Sequence, residues 1–419
     1  MATPVEADGQ LTPEEQKRLT ADMHRSLRRK KVRALLLVAP LLLFILVTFI
    51  APIGSMLFRS VDNPQVSESL PFTTIALKTW DAQALPDEET YAALVKDLVI
   101  GKENYSIGQA ATRLNYELSG MRSLFMGTAR KAKRLDPPFK DQLIKMNKDW
   151  GNIDYWKVIQ RESSSYTKSY YIAAVDMETK PDGEIKALPD NRSIYLNLFW
   201  RTVWMSLLIT VLTVILGYPV SYLLASLPIR TANMLMILVL LPFWTSLLVR
   251  TTSWIAMLQS QGVVNDLLVW IGIVADEERL SLIYNATGTI ISMTHILLPF
   301  MILPLYSVMK TVPPSYMRAA RSLGATPFTA FYRVYLPQSL PGISAGSILV
   351  FILAIGYYIT PALVGGQSGQ FIGNMIAYHM QGSLNWGLAA ALGVMLLLLV
   401  FGLYAVYNRL VGSNKVKVG

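Results

Sequence analysis

The sequence predicts an all-α integral membrane protein, with six transmembrane helices and a polar, mainly helical domain inserted between the first and second. Three observations carry that expectation. Only 16% of the 419 residues are charged and 52% are hydrophobic, with a mean hydropathy of +0.37, whereas soluble domains are about 25% charged. The stretches 34–58, 198–226, 232–258, 281–309, 343–364 and 386–411 are each long and apolar enough to cross ~30 Å of hydrocarbon as a helix. Charge is also segregated: no acidic residue follows Glu278, while segment 59–197 balances 19 basic against 19 acidic residues.

Taken in order, a basic tail over 1–33 carries Lys17, Arg18, Arg25, Arg28, Arg29, Lys30, Lys31 and Arg33 ahead of "ALLLVAPLLLFILVTFIAPIGSMLF". That run is longer than the core of a secretion signal and lacks a small-residue cleavage pattern, so it reads as a retained span. Arg230, then Lys310, Arg318, Arg321 and Arg333, then Arg409, Lys415 and Lys417 follow alternate spans, whereas loops 259–280 and 365–385 hold only Arg279. The positive-inside rule therefore places both tails (1–33 and 412–419) and the 312–342 loop in the cytoplasm, with 59–197 outside. Within 59–197, "DEETYAALVKDLVIG" and "SIGQAATRLNYELSGMRSLFMGTARKAKRL" read as amphipathic helices. "DPPFKDQLIKMNKDW" and "NIDYWKVIQRESS" add two more, each opened by a capping Asp or Asn. "SYYIAAVDM" and "SIYLNLF" are compatible with strand or helix.

Several function classes are disfavoured. Zero cysteines exclude disulfides, iron–sulfur clusters and zinc–thiolate sites. The net charge of +10 resides in tails and short loops, with no aromatic-interleaved basic stripe of the kind that binds nucleic acid. An ion-coupled secondary transporter needs a carboxylate within the membrane, and the predicted spans have none. Gly-x-Ser-x-Gly, His-Glu-x-x-His and paired carboxylates are missing from the spans, which argues against a membrane enzyme. No Gly-x-x-x-x-Gly-Lys-Ser/Thr loop exists, so no nucleotide or other cofactor is expected on this chain.

The stretch "RAARSLGATPFTAFYRVYLPQSLPG" at 318–342 separates the fourth and fifth apolar runs. Pro313 and Pro314 open a short helix that Gly324 stops; Thr326 and Pro327 open a second, with Pro337 and Pro341 expected to close it. The pattern predicts a surface helical hairpin whose Ala319, Ala320 and Gly324 admit close approach of another backbone.

Arg-Ala-Ala, three residues, Gly324, nine residues, Val334, one residue, Leu336-Pro337 resembles the EAA loop of ABC importer permeases, with Arg318 in place of Glu and Val334 in place of Ile. "LLPFWTSLLVRTTSW", "THILLPFMILPLYSVM" and "IGYYITPALVGG" resemble the spermidine/putrescine-type subfamily. The resemblance covers 198–411 and implies a type I importer permease fold with a five-helix core. It also implies a coupling surface at Arg318, Ala319, Ala320, Gly324, Val334, Leu336 and Pro337 that docks on a cytoplasmic ATPase. The implied partners are two ATPase subunits, a second and distinct permease, a periplasmic binding protein, membrane lipid and a small polar solute such as a polyamine or related amine. The implied place is a bacterial inner membrane. Export by the same parts is the alternative within the class.

Polar groups within spans are costly and tend to face a pathway. Arg250 is the foremost of these, flanked by Trp244, Thr245, Thr251 and Trp254, and Tyr357, Tyr358 and Thr360 before Pro361 form a second group. The competing reading of Arg250 is a snorkelling side chain, and that of the aromatics is packing or an interfacial belt. His295 reads as a hydrogen-bonded bundle residue.

Overall fold

The computed structural model describes residues 13–412; tail residues 1–12 and 413–419, Lys415 and Lys417 among them, lie outside the described residues. Among the described residues five helices are long and apolar enough to span a membrane. They are Arg25–Phe58, Tyr195–Ser226, Ala286–Thr311, Pro327–Gly356 and Trp386–Arg409, and a bent pair, Ile229–Trp244 with Leu247–Trp270, supplies a sixth. The chain divides into two units after Phe58.

The first unit is one long helix, beginning at Pro13 and running through a π-helical turn at Leu46–Ile50 to Phe58. The basic stretch before residue 34 is thus helical from Pro13 onward. The π turn precedes Pro52, and the same arrangement recurs at Phe331–Tyr335 ahead of Pro337. Proline cannot donate its backbone hydrogen bond and crowds the carbonyl four residues back. A widened turn just upstream, closed by Ala51 N–H to Leu46 O and Leu336 N–H to Phe331 O, lets each helix continue through it.

That geometry corrects two expectations. The fifth span does not begin at 343, nor do Pro337 and Pro341 close a separate hairpin arm. Pro327–Gly356 is one continuous helix, so the second arm of the loop is the base of the span. The 232–258 stretch is likewise not one straight span. Pro242 draws the chain into a 3₁₀ turn, Thr245 is extended, and Ser246 caps a new helix through Val249 N–H at 3.2 Å, producing a 96° bend.

In the second unit, the insertion is a helical domain with its own core. Asp87 caps Glu88–Glu103 by accepting from Thr90 N–H, and Asn152 caps Ile153–Glu162 through Asp154 N–H. The stretch expected as one helix from 106 is two, Ile107–Glu117 and Met121–Lys131, parted by Gly120 at φ +97°. Residue Pro138, not an Asp, precedes Phe139–Met146. Tyr91, Phe125, Trp150 and Trp156 form a buried aromatic centre with ring centroids 4.7–5.4 Å apart. Their polar tips are satisfied: Tyr91 Oη and Trp156 Nε1 both donate to Trp150 O, at 2.6 and 3.1 Å. The same burial pushes the Tyr91 hydroxyl up to about 12.

An ion network closes the domain. Arg113 contacts Glu162 at 2.5 Å, Glu117 at 2.7 Å and Asn63 Oδ1 at 2.7 Å, while Arg161 bridges Glu117 and Glu162. Buried charges persist only when paired in this way. Asn63 N–H donates to Ser165 O and Thr167 N–H to Val61 O, so the chain leaves and re-enters the domain at one place. Met177–Thr179 and Ile185–Ala187 then pair antiparallel before the second span.

The permease core centres on the fourth span, packed against the second and fifth through Met205, Ile209, Met293, Leu297, Met301, Leu305 and Val350. Small residues set the spacing. A Cβ at Gly342 would lie 3.0 Å from Val308 Cβ and 3.2 Å from Leu305 Cα; one at Gly346 would lie 2.6 Å from Met301 Sδ. Such four-residue spacing of glycines permits close helix contact.

Candidate functional site

The 318–337 loop is built by local rules. Pro314–Ser322 starts on proline and ends in a Schellman arrangement, with Ala325 N–H bonded to Ala320 O and Gly324 N–H to Arg321 O, Gly324 holding φ +91°. Thr326 then caps the next helix through Thr329 N–H. Arg318, Ala319, Gly324 and Pro337 are exposed; Ala320, Val334 and Leu336 are half-buried. A Cβ at Gly324 would meet nothing within 4 Å, so the backbone angle, rather than crowding within this chain, explains the glycine.

Two features of the loop were not read from the sequence. Leu323 is 90% and Phe328 77% exposed, so apolar knobs stand beside the small residues. Behind them Tyr218 and Tyr222 of the second span meet Phe331 and Tyr335 edge-on, at 5.0–6.0 Å between centroids. Both pairs are spaced by four residues, the period of one helix face, which is the signal that would have disclosed the cluster. The loop is thereby packed against the second span as well as continuous with the fifth.

The second group forms beyond the 96° bend. Thr251 and Thr360 are fully buried with hydroxyls 3.3 Å apart. Trp254 Nε1 donates to His295 Nδ1 at 3.1 Å, and Arg250 lies within Coulombic reach of His295 and Tyr357. Arg250, Thr251, Trp254, Tyr357 and Thr360 thus converge from the third and fifth spans and the Ile359–Val364 helix. Trp244 and Thr245 sit in the bend itself, Trp244 being 74% exposed. The Tyr358 carbonyl accepts from Asn374 Nδ2 at 2.8 Å, fastening that residue to the Ile372–Gln381 helix. In that helix His379 bonds Tyr195 Oη and Ser383 Oγ, both at 2.8 Å, and burial holds its pKa below 6.5.

In the second unit, apolar helices pack around the fourth span, the third span is bent by 96°, and an exposed loop is continuous with the fifth span. The chain belongs to the family of binding-protein-dependent transport system inner membrane components, which it matches over residues 203–413. It is similar to the spermidine/putrescine transport system permease protein PotB of Haemophilus influenzae, 34% identical over 246 residues, covering 57% of this chain and 85% of that protein. The inner membrane ABC transporter permease protein YdcU of Escherichia coli is 34% identical over 245 residues, covering 55% and 75%. A solved bacterial alginate ABC transporter bound to its periplasmic protein shares 17% identity over 51% of this chain and 77% of that chain, with a TM-score of 0.42. The protein is accordingly a multi-pass inner-membrane permease subunit of an ABC importer. It works with ATPase and binding-protein partners and leaves ATP hydrolysis to the ATPase. The insertion lies outside the family match.

Proposed function

We propose that this permease admits a small polar amine, of polyamine or related kind, handed over by a periplasmic binding protein. In this reading it pairs with a second, distinct permease and with two ATPases. The names of its relatives support the amine; the basic residues flanking alternate spans support cytoplasmic tails and loop, with the insertion outside. The observation that carries the mechanism is the continuity of the loop with the fifth span. Closure of the ATPases moves the Pro314–Ser322 helix, Pro327–Gly356 follows as a rigid lever, and the aromatic contact to Tyr218 and Tyr222 carries the second span with it. Alternating access follows from rigid-body motion, with no chemistry on this chain. Arg318, where the related loops carry Glu, pairs with a carboxylate of the ATPase.

Co-purification with the ATPase and uptake into proteoliposomes test this. Leu323→Asp and Arg318→Glu are expected to lower ATPase retention at least ten-fold while the permease pair stays assembled. Retention and uptake at wild-type levels in both variants refute docking at this surface.

A further inference from the structure

One charge in the pathway group lacks a counterpart. Arg250 sits in the first turn past the bend, and its Nε is buried with no hydrogen-bond partner among the described residues. After Asp190 the only acidic residues are Asp266, Asp276, Glu277 and Glu278, and Arg279 holds Asp266 at 2.7 Å and Asp276 at 2.8 Å. Two groups near Arg250, His295 and Tyr357, can also donate. Indole N–H can only donate, so His295, accepting from Trp254 at Nδ1, keeps its proton on Nε2 as a further donor. The Tyr357 hydroxyl is another neighbour, and the amino end of the Leu247–Leu258 helix adds partial positive charge. An arginine whose buried Nε finds no acceptor is complementary to a carboxylate, and it repels a bare ammonium.

We infer that Arg250 is a carboxylate-binding site of the transport pathway, filled by a carboxylate of the solute or by an Asp or Glu of the second permease. The inference rests on the importer reading and specifies its solute. A solute-borne carboxylate makes the cargo an amino acid-like zwitterion; a permease-borne one leaves room for a diamine.

The absence of native cysteine makes the charge at this position adjustable after assembly. Arg250→Cys, in the complete complex in proteoliposomes, is expected to lower uptake at least ten-fold. Treatment with 2-aminoethyl methanethiosulfonate, which restores a cation, should recover uptake; neutral methyl methanethiosulfonate should not. Putrescine and γ-aminobutyrate, similar in length, serve as probes. Uptake of γ-aminobutyrate alone assigns the carboxylate to the solute. Uptake of putrescine, with Arg250→Gln rescued by neutralising one carboxylate of the second permease, assigns it to that chain. Binding-protein-stimulated ATP hydrolysis is read in the same vesicles. A wild-type complex without stimulation fails the importer reading, whereas a stimulated complex equally active with cation or neutral group at 250 overturns the carboxylate site.

Discussion

Substitution of Gly324 separates two roles that one small residue can play. Its φ of +91° lies where the Cβ of an ordinary residue crowds the following carbonyl, at about 1–2 kcal/mol; Asn tolerates this region better, and β-branched residues tolerate it worst. A Cβ there meets nothing within 4 Å, so this chain adds no steric penalty. Gly324→Ala therefore weakens the turn between the loop helix and the fifth span by about 1–2 kcal/mol, a roughly five- to thirty-fold change in its population. Damage to coupling should rise from Asn through Ala to Val. A requirement for close approach of the ATPase would instead follow side-chain volume and make Asn worse than Ala. Solute moved per ATP hydrolysed, measured in proteoliposomes with the melting temperature of the complex as a control, distinguishes the two. Greater damage from Asn than from Ala refutes the conformational argument, and intact coupling in Gly324→Val refutes any role for the residue.

Glu162→Gln removes the carboxylate facing Arg113, both side chains being at most 2% exposed. It should cost about 3–5 kcal/mol, read as premature protease nicking of the insertion, whereas Lys133→Ala at the exposed Glu103 pair should leave nicking unchanged. Gly342→Ala places its Cβ against the Val308 Cβ and the Leu305 backbone and should lower the melting temperature. Gly346→Ala meets the movable Met301 side chain and should lower it less; the reverse order contradicts the packing described. His379 favours its neutral form in the fold, so the unfolded chain takes up the proton first. Stability should fall as pH drops below about 6.5, and His379→Gln should flatten that dependence in thermal melts at pH 7.5 and 5.5.

Much of this architecture is legible in the sequence because a bilayer admits few solutions for backbone hydrogen bonds. Apolar runs near 20 residues must be helices, and Asp87 and Asn152 cap where composition places them. The errors have a common cause. Pro242, Pro327 and Pro337 all punctuate a helical pattern, and sequence alone does not say whether a proline breaks, starts or is absorbed by a helix. At Pro242 the chain turned; at Pro337 a π turn let it pass. Arg250, Thr251, Trp254 and Thr360 could be nominated from their cost in lipid, but His295, some forty residues from Trp254, joins them only through tertiary contact. Leu323 and Phe328 looked like ordinary apolar residues until the loop's geometry turned them outward.

The backbone bonds joining Asn63 to Ser165 and Val61 to Thr167 give the insertion the character of a cartridge. Some hundred residues lie between those bonds, and Tyr116 Oη fastens them a second time by donating to Ser383 O at 2.8 Å. Gripped at its stem and again beside Ser383, the cartridge is seated rather than dangling.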